Sequence, residues 1–223
     1  MISVVIPTYN EETQIHQTLC QQELDSAGEV IVVDGRSQDA TCQSVDPGRA
    51  ALIQTFKRRS HQLNLGADAA SGDILLFLHA DSILEGGTCS TIVTGVQNGL
   101  IGGCLTQRIA SPRKVYRLIE RTGNLRARMS RIFYGDQAIF ITRKAFDSIG
   151  GFDDVDLFDD VLFSQKMKNH GPSSILPRRV WTSPRRWQKQ GVFKTTFINW
   201  LITIGFLGGI PIDKLKKYYI EIR

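Results

Sequence analysis

The stretch DILLFLHADSIL, residues 73–84, runs five apolar residues, 74–78, straight into His79-Ala80-Asp81. An unpaired carboxylate is costly to bury, so Asp81 must surface, find a donor or bind a cation. An uninterrupted apolar run suits a strand buried on both faces of a parallel sheet, and such a strand delivers Asp81 to the sheet's rim.

Two earlier segments repeat the device. ISVVIPTYN, residues 2–10, reads as a buried strand closed by a turn, and EVIVVDGRSQDAT, residues 29–41, as another ending at Asp34. EETQIHQTLCQQEL between them predicts a helix with Ile15, Leu19 and Cys20 on one face and Glu11 and Glu12 in its first turn. Ser37 and Asp39 are expected to cap a further helical segment. A third unit, LNLGADAASGDILLFLHADS, predicts a helix closed by Gly72 before the strand at 74–78. Strand, helix and strand in succession make a βαβ unit, hence an α/β fold with a mostly parallel, Rossmann-like central sheet flanked by helices. Asn10, Asp34 and Asp81 then lie together at the carboxyl edge, where open α/β sheets bind ligands.

Beyond residue 105 the pattern becomes more helical. Val115, Leu118, Ile119, Leu125, Met129 and Ile132 recur at helical spacing among eight basic residues and one acid between Arg108 and Arg131, so an apolar stripe under a solvated basic face is expected, with contact to an anionic surface as the alternative. GDQAIFITRKAFDSIGGF predicts a strand at 137–142, a short helix and a glycine turn, and Asp136 and Gln137 can hydrogen-bond a ligand or simply shape that turn. FDDVLFSQKMKNHG opens on Asp159-Asp160 and continues as an amphipathic helix stopped by Gly171-Pro172.

At 223 residues the chain has room for a sizeable core, and 42% hydrophobic with 22% charged residues is ordinary for a soluble protein. The four cysteines show no metal-ligand or disulfide-framework spacing and read as reduced and mostly buried. MISVVIPTYN lacks a basic n-region and reaches Pro7 too soon for a signal peptide, so the expected compartment is the cytoplasm. Residues 1–50 hold two basic and eight acidic side chains, residues 161–223 twelve and two, which points to an anionic partner near the C-terminal part. No nucleic-acid-binding spacing is present. The apolar run near residues 200–210 is too short to span a bilayer. Residues 192–217 suit either peripheral membrane contact, with Trp200 and Phe206 at headgroup level and Lys214, Lys216 and Lys217 as anchors, or packing on the domain or in a homo-oligomer.

Three rim positions, one carboxylate pair and the cluster Arg185-Arg186-Trp187 suit a nucleotide sugar, which presents a base, a ribose, a diphosphate and a leaving-group bond. A Mg²⁺ or Mn²⁺ ion held by one carboxylate and phosphate oxygens is the usual arrangement for such hard cations, and Asp81 would supply that carboxylate. VVIPTYNEE, VIVVDGRSQDAT, GDILLFLHADS, GGF followed by FDDVLFSQKMKNHG, and RRW resemble, in this order, a family 2 glycosyltransferase of the GT-A fold, of the small single-domain bacterial kind. The resemblance covers most of residues 1–190. It implies one GT-A domain over 1–223: a nucleotide-binding half at 1–104, an acceptor and catalytic half at 105–190, and an apolar, basic extension at 191–223.

Carried over by residue, the resemblance implies that Pro7, Tyr9, Asn10 and Glu11 line the nucleotide pocket and that Asp34 contacts base or ribose. His79-Ala80-Asp81 takes the place of the family's Asp-x-Asp, with Asp81 on the metal and His79 facing ribose or phosphate. His79 departs from the pattern, as does Gly35, which stands where many members have a second Asp. Asp159-Asp160 matches the acidic pair whose second member is the general base of inverting enzymes. Arg186 and Trp187 match the end of a Q-x-x-R-W element that steadies the diphosphate and borders the acceptor. The implied activity is metal-assisted, inverting hexosyl transfer from a nucleoside-diphosphate sugar, UDP-linked by preference, to an acceptor that is soluble or lipid-linked at the inner membrane face. Its rivals are a non-catalytic nucleotide-binding or membrane-associated partner domain and a sugar nucleotidyltransferase. The latter calls for a Gly-rich phosphate loop where this chain has PTYNEE.

Overall fold

A computed structural model describes residues 1–217; the last six residues of the C-terminal extension and the side chains of Leu207, Asp213 and Lys216 lie outside the described residues. The strands are β1 (Ile2–Thr8), β2 (Glu29–Asp34), β3 (Ala51–Gln54), β4 (Ile74–Phe77), β5 (Ser82–Leu84), β6 (Gly102–Ile109), β7 (Ile139–Thr142) and β8 (Ser173–Thr182). They form one eight-stranded sheet in the order β3-β2-β1-β4-β7-β6-β8-β5. The first four in that order are parallel, β7 runs antiparallel between β4 and β6, and β6 and β8 are again parallel. In β1, Val4 and Ile6 enter one core and Val5 the other, so both faces are covered. This is why the strand sequences read as unbroken apolar runs rather than alternating ones.

The helices are α1 (Ile15–Leu19), α2 (Arg59–Ala69), α3 (Thr88–Gln97), α4 (Lys114–Ser130), α5 (Arg143–Ile149), α6 (Asp159–His170), α7 (Arg185–Gln190), α8 (Val192–Leu207) and α9 (Ile212–Lys216). Four expectations are corrected. The helix after β1 is only α1, followed by a 3₁₀ turn at Gln22–Ser26, and neither Glu11 nor Glu12 lies in its first turn. Glu11 is buried and held by Arg185 instead. After β2, Ser37 and Asp39 cap no α-helix: Ser37 bonds back to Asp34, Asp39 accepts from Thr41, and a single 3₁₀ turn at Cys42–Ser44 leads to the edge strand β3. The cap of α2 is Ala70; at Gly72 an added Cβ would meet Ser3 Oγ at 2.4 Å, so that glycine serves strand packing.

The fourth correction concerns α4, whose supposed core stripe is split: Val115, Ile119 and Ile132 pack half-buried against the core, and its other members face outward. Leu118, Leu125 and Met129 are exposed, while Tyr116, Glu120 and Ala127 are buried. Glu120 accepts from Arg108 Nη1 (2.8 Å) and the Ile109 N–H (2.7 Å) and pairs with Arg117, which turns the helix's one acid inward. In the tail, Phe206 stacks on Phe158 with ring centroids 4.4 Å apart, rather than standing free at headgroup level. Cys89 and Cys104 are buried, Cys42 is half-buried and Cys20 is exposed; all four are free.

Candidate active site

The site forms where the carboxyl ends of β1, β2 and β4 meet the N-termini of α6 and α7. Asp81 lies four residues past β4, and β5 turns the chain back at once, so its side chain is presented to the crevice. Arg185 grips the first half of the site. Its two Nη atoms donate to the carboxylate oxygens of Glu11, both at 2.6 Å, and its Nε lies 3.3 Å from Asp81 Oδ2. Burial, which favours the neutral guanidine, is outweighed by Glu11 and Asp81, and the Arg185 pKa rises.

The acidic pair divides. Asp159 is buried and takes a two-pronged ion pair from Arg59, whose Nε donates to Asp159 Oδ2 at 2.8 Å. Asp160 accepts the Gly135 N–H at 2.7 Å on Oδ2 and the Val161 N–H at 2.8 Å on Oδ1, and it faces the cavity. Burial raises the Asp160 pKa; Arg59 and the two backbone donors pull it down, Asp159 pushes it up, and the net shift is upward. Phe158, just before the pair, holds φ at +64°, a conformation that costs a non-glycine residue about 1–3 kcal/mol. Its stacking on Phe206 helps to hold the turn that aims both acids.

Gly135 lets His79 and Asp160 approach closely: an added Cβ would lie 2.7 Å from His79 Nε2 and 3.5 Å from Asp160 Oδ2. Next to it, Asp136 Oδ2 accepts from Gln107 Nε2, and its pKa is pushed up to about 6 by burial, then by the negative charge of Asp160. An acid with a higher pKa folded than unfolded keeps its proton in the native state where the unfolded chain has lost it. Its contribution to stability therefore falls as pH rises from about 4 to about 6. Asp136→Asn should consequently be more stable than the parent above that range, by at most about 3 kcal/mol, with the gap closing below it; thermal melts across pH check this.

Asp81, His79, Asp160, Arg186 and Trp187 all line one cavity of about 260 Å³. Sequence reasoning missed several of its walls. Asn199, Ile202 and Thr203 of α8, which carry no motif, belong to it, beside Arg59 and Asp136. Arg186 Nη2 donates to Asn199 Oδ1 at 3.1 Å, and Trp187 packs edge-on against Tyr116 at 5.9 Å between centroids. Pro7, Tyr9, Asn10, Glu11 and Asp34 do not line this cavity; they gather at the ends of β1 and β2, joined to it through the Glu11–Arg185 pair. There Lys57 Nζ stands 4.2 Å over the Tyr9 ring. Asn10, at φ +53°, takes the Gln38 N–H on its side chain and donates its own N–H to Ser37 Oγ. Asp34 is wholly buried, its oxygens occupied by Thr8 and Ser37, so it shapes this loop from beneath. At Gly35 a side chain would press on Lys57, 3.1 Å from its Cα.

Among the described residues no cluster of three or more His, Cys, Asp or Glu side chains suits a metal ion. Asp81 offers one carboxylate, flanked by Arg185. That fits a Mg²⁺ or Mn²⁺ ion whose other ligands come with a diphosphate and water, the usual arrangement for these ions, and does not fit an all-protein cage.

A family model described as Glycosyl transferase family 2 matches residues 3–152. Among curated proteins, glycosyltransferase AglE of Haloferax volcanii is 36% identical over 118 residues, 46% of this chain and 38% of that one. The GalNAc(5)-diNAcBac-PP-undecaprenol beta-1,3-glucosyltransferase of Campylobacter jejuni is 29% identical over 120 residues, 48% of this chain and 39% of that one. Each match thus spans about two fifths of the relative's length. The structure of S. aureus TarS 1-349 in complex with UDP superposes with a TM-score of 0.65 at 20% identity, over 82% of this chain and 61% of that one. Mannosyltransferase PcManGT from Pyrobaculum calidifontis, in complex with GDP-Man and Mn²⁺, gives 0.63 at 24%, over 81% and 56%. These likenesses establish the GT-A fold.

Proposed function

The chain belongs to glycosyl transferase family 2, and from that premise we propose that it moves a sugar from a nucleoside-diphosphate sugar to an acceptor hydroxyl, with inversion at the anomeric carbon. One observation carries this reading: Asp81 and Asp160, 79 positions apart in the sequence, open on a single cavity that also holds Arg185 and Arg186. Asp160 takes the proton as the acceptor oxygen bonds to the anomeric carbon. The bond from that carbon to the diphosphate oxygen breaks, and its electron pair leaves with the nucleoside diphosphate.

The protein groups are suited to these roles. The raised pKa of Asp160 makes it a better proton acceptor than an ordinary carboxylate, and its two backbone donors leave lone pairs for the acceptor hydroxyl. Asp159, neutralised by Arg59, acts as a positioning residue beneath it. Arg186 would meet the diphosphate with its guanidinium, and Arg185, whose fork holds Glu11, would add positive charge beside it. Asp81 would hold the divalent ion, whose contribution when bound is to neutralise the leaving group. Tyr9, Asn10 and Pro7 would receive base and ribose from above the Asp34 loop, with His79 toward the phosphate side. Trp187, Asn199 and Thr203 would border the acceptor.

Uridine nucleotides are the first donors to test, since TarS is described with UDP and with UDP-GlcNAc, and guanosine nucleotides follow from PcManGT. The undecaprenol-linked substrate named for the Campylobacter relative supports a lipid-linked acceptor reached at the inner membrane face. Thermal shift with a panel of nucleoside diphosphates, with and without Mn²⁺, tests the donor side. The right nucleotide at 100 times its dissociation constant should add about 2.7 kcal/mol, or about 5–10 °C in Tm. No shift with any nucleotide would remove the basis of the proposal.

A further inference from the structure

Helix α8 is apolar around nearly its whole circumference. Ile198, Ile202 and Phe206 face inward against Leu157 and Phe158, while Phe193, Phe197, Trp200, Leu201 and Ile204 face outward, each more than half exposed. Helices of that kind are buried in a protein core or in lipid. Here α8 lies at the surface beside α4, whose Leu118, Leu125 and Met129 are likewise exposed. Val115, Leu118 and Ile119 of α4 and Phe193, Phe197 and Trp200 of α8 wall a groove of about 360 Å³. A contiguous apolar face of this kind marks an interaction site rather than ordinary surface.

Charge decides among occupants. Arg113, Lys114, Arg121 and Arg128 on and beside α4, with Lys189 and Lys194 beside the groove's other wall, are all exposed. The one acid of α4, Glu120, is buried between Arg108 and Arg117. A second copy packed on this face would bring cation against cation with no acid of α4 or α8 to answer them. An anionic bilayer answers both features: its acyl region takes the aromatic ridge and its headgroups take the cations. Among the described residues no helix is long and apolar enough to cross a membrane, and α8, at about 24 Å against a hydrocarbon core of about 30 Å, is built to lie on one.

We propose that the α4–α8 face docks the protein on an anionic lipid surface, with α8 as the shared wall between bilayer and catalytic cavity. The inward side of the same helix places Asn199, Ile202 and Thr203 in that cavity, about one helix diameter from the docked face. The proposal does not depend on the chemistry assigned to the cavity.

The test is co-sedimentation of the whole chain with phosphatidylcholine vesicles, with and without about 30% phosphatidylglycerol, at low and high salt, with Trp200 fluorescence as a second readout. Expected are binding to the anionic vesicles, at least about tenfold weaker binding to neutral ones or at high salt, and a blue shift that Trp200→Phe removes. Phe197→Glu with Trp200→Glu should abolish binding, and Arg121→Glu with Arg128→Glu should weaken it by about tenfold or more. Nucleotide-induced thermal shifts, unchanged in both double variants, would show that each is folded. Failure to bind anionic vesicles, or binding that survives the Phe197→Glu/Trp200→Glu change, overturns the proposal. So does a solution dimer that ignores vesicles and dissociates on Phe197→Glu. Vesicle binding without any nucleotide response would leave the docking surface standing and defeat the sugar-transfer reading.

Discussion

Asp160→Asn should lower the turnover number by at least about 100-fold while leaving nucleotide-induced stabilisation and the melting temperature close to those of the parent. Asparagine keeps the shape and one oxygen, which can still accept the Gly135 N–H, but it cannot take a proton from an acceptor hydroxyl. Asp159→Asn separates position from chemistry. It removes one partner of the buried pair with Arg59, so its first effect is on folding, about 3 kcal/mol or more, with activity falling as Asp160 loses its support. The pH profile distinguishes the roles further. Because the folded pKa of Asp160 lies above the ordinary carboxylate value, turnover should fall as pH drops through that raised value, earlier than for an unperturbed aspartate. Transfer rates at saturating donor, alongside thermal melts of both variants, check all three expectations. Near-parental turnover by a folded Asp160→Asn protein would remove Asp160 from the reaction.

The reach of sequence reading differed between strands and helices for a physical reason. Residues 2–8, 29–34 and 74–77 are buried on both faces, so their composition alone marks them as central parallel strands and places Asp81 at the rim. Helical spacing in α4 identified which residues share a face but not which face the protein covers. The decision was made by Arg108 and Ile109 of β6, which pull Glu120 inward, and nothing local to α4 announces them. The same limit governs Arg185 and Arg186. Adjacent residues on a helix point about 100° apart, and only the tertiary placement of α7 shows that Arg185 reaches Glu11 and Asp81 while Arg186 reaches Asn199. Asp34 shows the same limit: its place at the end of an apolar strand is legible, while its bonds to Thr8 and Ser37, which hold the following loop, are not. Asn199 and Thr203 were invisible because they interrupt an apolar helix without forming any motif.

Arg185→Gln should have the largest effect on the donor side, and in two opposite directions. In the parent, Arg185 balances two carboxylates at once, Glu11 nearly buried and Asp81 partly so, with side-chain exposures of 5% and 15%. Removing the guanidinium leaves the Glu11 charge without its bidentate partner in a poorly hydrated place, which should cost about 3 kcal/mol of stability. Glu11→Gln on the same background should recover a substantial part of that loss, since a neutral amide no longer needs the cation; with the Glu11→Gln single variant the cycle closes and gives the coupling between the two side chains. Yet the same change releases Asp81 from its competitor. If a divalent ion displaces Arg185 from Asp81 in the parent only when a diphosphate supplies the remaining ligands, the variant offers Asp81 to the ion without that cation beside it. Mn²⁺ alone should therefore bind Arg185→Gln at least about tenfold more tightly than the parent, and a nucleoside diphosphate should bind it more weakly for want of the positive charge. Electron paramagnetic resonance of free Mn²⁺ and denaturant unfolding measure the two arms separately. Equal Mn²⁺ affinity in parent and variant would mean that Arg185 does not compete for Asp81, and metal and diphosphate would then have no reason to enter the site together.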